Sequence, residues 1–441
     1  MLFIKALFFT RYFFGSLLLA SLLFFVSYLV PGLYSIAWIL TWLIVLAVII
    51  DMITLFKGKP VDAKRELPEK LSNSDANELE ILLQNNFPFQ LQVEVIDEIP
   101  QQFQKRDFKL NLRLKAYEET REKYFLTPRE RGVYQFGKLH CFCISPIRLI
   151  KRRISFNQAG EVKVYPSFIQ MRKYDFLSLA PQQQVGIKKV RRIGHTMEFE
   201  QIKEYVKGDD MRTINWKATS KRAKLMVNQY QDERSQSIFS VIDQGRVMQM
   251  PFSGLSLLDY SINAALAFSN IALKKNDKTG LVSFSNKVDK LLKPSASKTQ
   301  LTRIMNSLYA IDTDFSISDF GNLYVQLKRQ ISYRSLLFIY TNFEHLEGMR
   351  RQLPYMKALA KKHLLVIVLF ENIELQEVQH QKVEKVFDVY VKTIAEEMDH
   401  NKEVMAQELE RNGIFTLLTR PEDLTVNAIN KYLEIKSRGI L

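Results

Sequence analysis

The sequence predicts an α/β protein in three parts: an N-terminal transmembrane helical hairpin, a β-sandwich, and a doubly wound α/β domain. Three observations carry this expectation. Two uncharged apolar stretches separated by Pro31-Gly32 open the chain. Short alternating apolar runs broken by turn residues follow, and continuous apolar runs of strand length then alternate with helical patterns to the C-terminus. At 441 residues the chain is long enough for two or three domains.

The hairpin is expected over residues 1–57, with helices over about 12–30 and 33–55. Tyr12 to Val30 and Leu33 to Ile50 carry no charge, and Asp51 ends the second stretch. Each reaches roughly the thickness of a bilayer core at about 1.5 Å per helical residue. A turn this short brings both outer ends out on one side. Those ends carry Lys5 and Arg11 before the first span and Lys57, Lys59, Lys64 and Arg65 after the second. Positive flanks stay cytoplasmic, so both termini and the bulk of the chain are expected in the cytoplasm. A cleaved signal peptide would need a small-x-small site after the first stretch, and none follows.

Residues 64–190 are expected to form the sandwich. Its strands fall at Glu80–Leu83, Gln90–Val95, Phe108–Leu114, Tyr124–Leu126, Gly132–Phe136, Lys138–Ile144 and Glu161–Tyr165. Asn85-Asn86, Pro88, Ile99-Pro100, Thr127-Pro128 and Gly160 break them. Cys141 and Cys143 are the chain's two cysteines, and on a strand they share one face. With no third ligand they read as buried thiols in a reducing compartment. The net charge of +15 suits an anionic partner, and also the topology of a membrane protein. The basic clusters Lys151-Arg152-Arg153 and Lys188-Lys189 with Arg191-Arg192 read as solvated faces or as contacts to anionic lipid. They lack the interleaved aromatics that nucleic-acid binding requires, so no nucleic acid is expected as a partner.

From residue 236 to 441 strands are expected at Ile238–Ile242, Gly280–Phe284, Val288–Leu292, Ser335–Thr341, Leu364–Phe370 and Ile414–Leu418. Helical patterns at Leu257–Leu273, Leu301–Leu308, Arg350–Lys361, Ile394–Arg411 and Leu424–Lys436 would cover the sheet on both faces. Asp243 stands at the C-terminal tip of the first strand, where ligands sit in open α/β sheets.

Between sandwich and sheet, residues 191–235 hold the most distinctive string. Glu198-Phe199, Tyr205, Gly208-Asp209-Asp210, Arg212, Ile214 and Trp216-Lys217 resemble the signature of the domain of unknown function 58 family. The resemblance implies an N-terminal membrane hairpin, an immunoglobulin-like sandwich and a domain similar to the von Willebrand factor type A fold. Arg129–Tyr134 and Ser145-Pro146-Ile147 are similar to recurrent segments of that sandwich, with Ser145 replacing the usual acid. The resemblance also implies work beside MoxR-type AAA+ ATPases.

In the von Willebrand type A fold a divalent cation sits at the strand tips, held by an Asp-x-Ser-x-Ser turn, a threonine and a later aspartate. Asp243 matches the first ligand, but Gly245 and Val247 stand where the serines belong. Thr313 matches the threonine, and Asn342 replaces the aspartate. Two hydroxyls and one charge are missing for an ion that dehydrates reluctantly. Asp312, Asp314 and Glu344 are the carboxylates that could substitute. The expectation is a vestigial metal site, used as a docking surface shaped by Arg246 and Asn342.

Enzyme readings find little support. Asp209 and Asp210 are adjacent, and on a turn such acids cap amides rather than act as an acid–base pair. His195 has no nucleophile at a telling spacing, and no Gly-x-x-x-x-Gly-Lys loop occurs. The expected function is a non-enzymatic, membrane-anchored adaptor that needs no cofactor. Gly208, Asp209, Asp210, Arg212 and Trp216 would brace sandwich to α/β domain. The alternative is a metal-dependent ligand-binding module using Asp243 and Thr313 with Mg2+.

Overall fold

The computed structural model describes residues 6–30, 32–105, 107–174, 198–206, 209–231, 235–380 and 385–440. Gly208, His195 and the Lys188–Arg192 cluster lie outside them. The chain divides into two compact units, 1–165 and 166–441.

The first unit begins with strand β1 (Leu7–Phe9), followed by helices α1 (Arg11–Ser27) and α2 (Leu33–Phe56). Strands β2 (Val61–Glu66), β3 (Lys70–Ser72), β4 (Asn77–Asn85), β5 (Leu91–Asp97), β6 (Leu110–Leu114) and β7 (Glu119–Leu126) come next. They are followed by β8 (Gly132–Phe136), β9 (Leu139–Ile144), β10 (Ile150–Phe156) and β11 (Gly160–Tyr165). Three sheets result, in the orders β1-β10-β9-β5-β6, β2-β4-β7 and β3-β11-β8. They share one core containing Leu79, Ile81, Val93, Tyr124, Phe136 and both cysteines. Burial raises both thiols, which makes them inert packing groups.

The helices are inside out. The buried residues are Ala20 and Ser27 on α1 and Ala37, Ile44, Asp51 and Leu55 on α2, while large apolar residues such as Leu18, Phe25, Ile39 and Trp42 are exposed. That is the arrangement suited to lipid, where close backbone approach replaces a greasy interior. α2 is long and apolar enough to cross a membrane by length and composition, and α1 is shorter at 17 residues.

Three details differ from the sequence reading. β1, β2, β3 and β10 were not expected, because β1 and β3 are too short to show a period, β2 carries charges read as a membrane flank, and β10 carries Lys151-Arg152-Arg153. Those cations are engaged locally. Lys151 binds Glu94, and Arg152 donates to the carbonyls of Leu55 and Gly58 at 2.6 Å, closing the C-terminus of α2. Arg153 lies over the ring of Phe8. Second, Lys64 and Arg65 belong to β2 rather than to a membrane flank. Arg65 is buried and pairs with Asp97. Third, Asp51, which ends the uncharged stretch, has partners far along the chain. It is buried within the helix, accepting from Ser145 Oγ and from the Leu149 and Ile150 amides at 2.9 and 3.0 Å.

In the second unit, β12 (Glu198–Glu204) and β13 (Met226–Gln231) pair as an antiparallel hairpin. β14 (Ser237–Asp243) follows, then a small hairpin of β15 (Pro251–Phe252) and β16 (Leu255–Ser256). The remaining strands are β17 (Lys278–Phe284), β18 (Val288–Ser295), β19 (Leu336–Tyr340), β20 (Leu364–Phe370) and β21 (Phe415–Thr419). Among the described residues the main sheet has six strands in the order β18-β17-β14-β19-β20-β21, parallel except for the edge strand β18.

Both faces are covered, as alternate residues of β14 show. Ile238 and Ile242 join one core with Phe268 and Tyr432, while Phe239 and Val241 join the other with Phe320 and Met356. Helices Leu257–Lys274 and Leu424–Ser437 cover the first face. Helices Phe320–Gln330 and Leu346–Ala360 cover the second. The helix at Phe320–Gln330 was not expected, and helix Val386–Arg411 starts earlier than the pattern predicted. Strand order turns around at β14, which runs between β17 and β19. Asp243 thus lies at the switch point, where the flanking connections diverge and leave a crevice.

Candidate functional site

Asp243 is buried at the tip of β14, and its carboxylate is filled from within the chain. Oδ1 accepts from the Gly245 amide at 2.8 Å and from Ser318 Oγ, and Oδ2 accepts from Thr341 Oγ at 2.6 Å. Burial pushes this carboxyl above its ordinary range, and the three donors only partly offset that. Gly245 is required here because a Cβ would overlap Ser318 Oγ.

The opposing loop, residues 313–318, is tied down at each step. Thr313 Oγ donates to the Gln244 carbonyl at 3.0 Å. Asp314 accepts from Ser285 Oγ and from the Ser316 hydroxyl and amide at 2.7 and 3.0 Å. Burial raises the Asp314 carboxyl, but those hydrogen bonds more than offset it and hold the group below its usual range. The Arg246 amide donates to the Ser316 carbonyl at 3.0 Å. Beside the exposed Asp314 the loop shows two large apolar side chains outward: Phe315 is 62% exposed and Ile317 80% exposed. Phe315 has φ 57°, a left-handed conformation rare for an aromatic residue.

Of the expected ligands, Asn342 has a different partner. Its Oδ1 accepts from Lys402 Nζ at 2.5 Å, and the same ammonium donates to the Phe343 carbonyl. Lys402 is half-buried, and loss of hydration pushes its amine down to about 8. Because its folded value lies below its unfolded one, the folded chain sheds this proton first. Stability is therefore expected to rise with pH from about 8 toward the ordinary lysine range. Denaturant midpoints across that interval should show the slope, and Lys402→Met should remove it.

The donor set does not fit a hard divalent ion. Such an ion needs free carboxylate and hydroxyl lone pairs. Both Asp243 oxygens accept from protein donors, Thr313 Oγ accepts from the Phe315 amide at 3.3 Å while donating to a carbonyl, and Asn342 is held by a cation. Among the described residues no group of three or more His, Cys, Asp or Glu could hold a metal.

Sequence reasoning missed Ser318, Thr341 and Lys402. A signal for the first was present: the Asp-x-Ser-x-Ser string absent after β14 occurs as Asp314-Phe315-Ser316-Ile317-Ser318 on the facing loop. Thr341 is the last residue of its apolar run, one position before the Asn342 that was singled out. Nothing local pointed to Lys402.

The signature residues form a separate feature on the β12–β13 hairpin. Asp209 accepts from Lys203 Nζ at 2.8 Å and the Val206 amide at 3.0 Å, which holds its carboxyl down. Asp210 caps the Arg212 amide at 2.9 Å, and Asn215 caps helix Trp216–Arg222 through the Ala218 amide at 3.0 Å. Both acids thus serve their own turn. The side chains of Arg212 and Trp216 are exposed.

No curated protein matches the chain. Similar solved structures include an aerotolerance-related membrane protein from Bacteroides fragilis NCTC 9343 bearing multiple mutations to serines. It is 13% identical, spans 46% of this chain and 98% of its own, and has a TM-score of 0.31. A conserved hypothetical protein BatB from Bacteroides thetaiotaomicron is 14% identical, spans 46% of this chain and 99% of its own, and has a TM-score of 0.32. A PapD-like domain of human CEP192 is 12% identical over 24% of this chain and 87% of its own, with a TM-score of 0.19. Residues 201–408, which contain β14, the 313–318 loop and Lys402, match the family described as Protein of unknown function DUF58.

Proposed function

We propose that this chain is a membrane-anchored, non-enzymatic adaptor that binds a partner protein at the strand-tip face of its α/β unit. The observation that carries this reading is the 313–318 loop, where hydrogen bonds anchored on the buried Asp243 hold the segment from which two large apolar side chains project into water. A fold does not hold Phe315 in a left-handed conformation and leave Ile317 bare without gain, and exposed apolar groups on a rigid support are what partner surfaces use. The partner class implied by the family resemblance is a MoxR-type AAA+ ATPase. Both N-terminal helices would cross the membrane and keep the bulk of the chain in the cytoplasm, a placement supported by their inside-out surface and by Arg11, Lys57 and Lys59 at the outer ends. Arg212 and Trp216 are exposed, and their exposure lends no support to the brace expected of them.

A photoreactive residue at position 315 of the full chain in its native membrane tests the reading. It should cross-link a protein, and the double variant Phe315→Ser/Ile317→Ser should reduce co-purification of that protein at least about tenfold while shifting stability by less than about 0.5 kcal/mol. Protease added to intact cells should leave the loop uncut. Cross-links to lipid alone would overturn the reading. Calorimetric binding of Mg2+ in the micromolar range, lost in Asp243→Ala, would favour the metal-dependent module instead.

A further inference from the structure

A second surface of the α/β unit has the makings of a docking groove. On helix Val386–Arg411, Phe387, Tyr390, Ile394 and Met398 recur at spacings of three and four, which aligns them along one stripe. They are exposed, from 72% at Phe387 to 37% at Met398. A water-facing stripe of this size is a liability unless something covers it. The stripe runs into a cleft, since Met398 also lines the concavity floored by Met250, Phe252 and Leu375.

The cleft's charge says what would cover it. Glu344, Glu371, Glu374 and Asp399 line it against a single ammonium, that of Lys402, itself spent on Asn342 and Phe343. Glu371 is half-buried; burial raises its carboxyl, Arg420 pulls it down, and Asp399, Asp423 and Glu403 raise it further. These acids converge on a chain whose net charge is +15. An anionic membrane surface would be repelled here, whereas a cation entering the cleft would relieve a crowded set of carboxylates.

We propose that the Phe387–Met398 stripe and the acidic cleft at its end form a docking groove for an amphipathic segment of a partner protein, with lysine or arginine beside its apolar face. The apolar anchors would lie along the stripe, and a basic side chain would enter the cleft toward Glu371 and Asp399. This is the helix-in-groove mode, in which spacing supplies affinity and charge supplies register. It rests on the adaptor reading only in taking the occupant to be a protein; the surface is distinct from the 313–318 loop.

The test uses the full chain in nanodiscs of zwitterionic lipid and three labelled peptides: a helical Leu/Lys amphipath, a scramble of the same composition, and a Leu/Glu counterpart. Empty discs supply the lipid baseline. The Leu/Lys amphipath should bind at least about tenfold more tightly than the other two, and more weakly as salt is added. Glu371→Gln/Glu374→Gln/Asp399→Asn should erase that advantage, and so, separately, should Phe387→Ser/Ile394→Ser; all five positions lie at or near the surface, so the fold should survive. Binding that ignores both sets of substitutions overturns the proposal. So does a dimer that falls to monomer in Phe387→Ser/Ile394→Ser, which would make a second copy the occupant, or adsorption to anionic vesicles lost in that variant, which would make it lipid. Failure here with cross-linking intact at position 315 would sink the groove and spare the adaptor. The converse would spare the groove.

Discussion

Arg65→Met is expected to unfold the first unit or to cost it about 3–5 kcal/mol, the penalty of stranding one member of a buried ion pair. Both side chains of the Arg65–Asp97 pair are fully buried. The guanidinium also donates to the carbonyls of Gly137 and Gln158 and lies 4.9 Å from the centre of the Phe136 ring, while Tyr124 donates to the other Asp97 oxygen at 2.7 Å. One cation thereby ties β2 to β5 and to the loops after β8 and β10. Burial already raises the Asp97 carboxyl, with Arg65 the main group holding it down. Without Arg65 it must rise further, so the folded variant binds a proton that the unfolded chain does not. Its stability is then expected to grow as pH falls, opposite to ordinary acid denaturation. Arg65→Met/Asp97→Asn should recover most of the loss, because it removes the charge and keeps an acceptor for Tyr124. Urea unfolding followed by circular dichroism reads all three. A loss below about 1 kcal/mol for Arg65→Met would mean that the pair is solvated in solution.

This pair also shows where the sequence stopped being legible. Lys64 and Arg65 follow an apolar helix, and in that position any two cations read as a topological flank. What pairs with Arg65 in the core is Asp97, thirty-two residues away on a strand of another sheet. The same holds at Asp51, whose role depends on Ser145 and on amides 98 and 99 residues on. Elements defined by their own period were readable. The continuous apolar run at Leu364–Phe370 became β20 with the expected ends, and the helical pattern at Leu257–Leu273 became a helix one residue longer. Short or charged elements such as β1 and β10 take their strand geometry from a neighbour and carry no period of their own. At the candidate site, Asp243 could be placed from its strand alone. Its partners Ser318 and Thr341 arrive from 75 and 98 residues away, and only the fold brings them together.

Asp243→Ala is expected to have the second-largest effect, about 2–4 kcal/mol, and to act at a distance on the exposed loop. Removing the carboxylate leaves the Gly245 amide and the hydroxyls of Ser318 and Thr341 facing a small cavity without an acceptor, each worth about 1–3 kcal/mol when buried. Relief from burying a charge offsets part of that sum. Asp243→Asn keeps one acceptor and the shape, and should cost about 1–2 kcal/mol. The two variants should also differ from the parent in pH dependence. An acid whose folded pKa is raised holds its proton longer in the fold than in the open chain. The parent therefore loses stability as pH climbs from the ordinary carboxylate range through that raised value, and neither variant should show this slope. Hydrogen exchange supplies the functional readout. Ser318 is the tie between Asp243 and the 313–318 loop, so in Asp243→Ala the amides of residues 314–318 should exchange faster through local opening, at least about tenfold in native buffer, while β20 should speed up only by the amount the global loss of stability accounts for. If the loop loosens and capture at position 315 falls in step, the buried carboxylate serves recognition by rigidity, holding Phe315 and Ile317 in place in the way a bound ion could have done. If the loop stays protected, its order comes from Asp314 and Thr313 alone, and Asp243 is a packing residue of the strand tip.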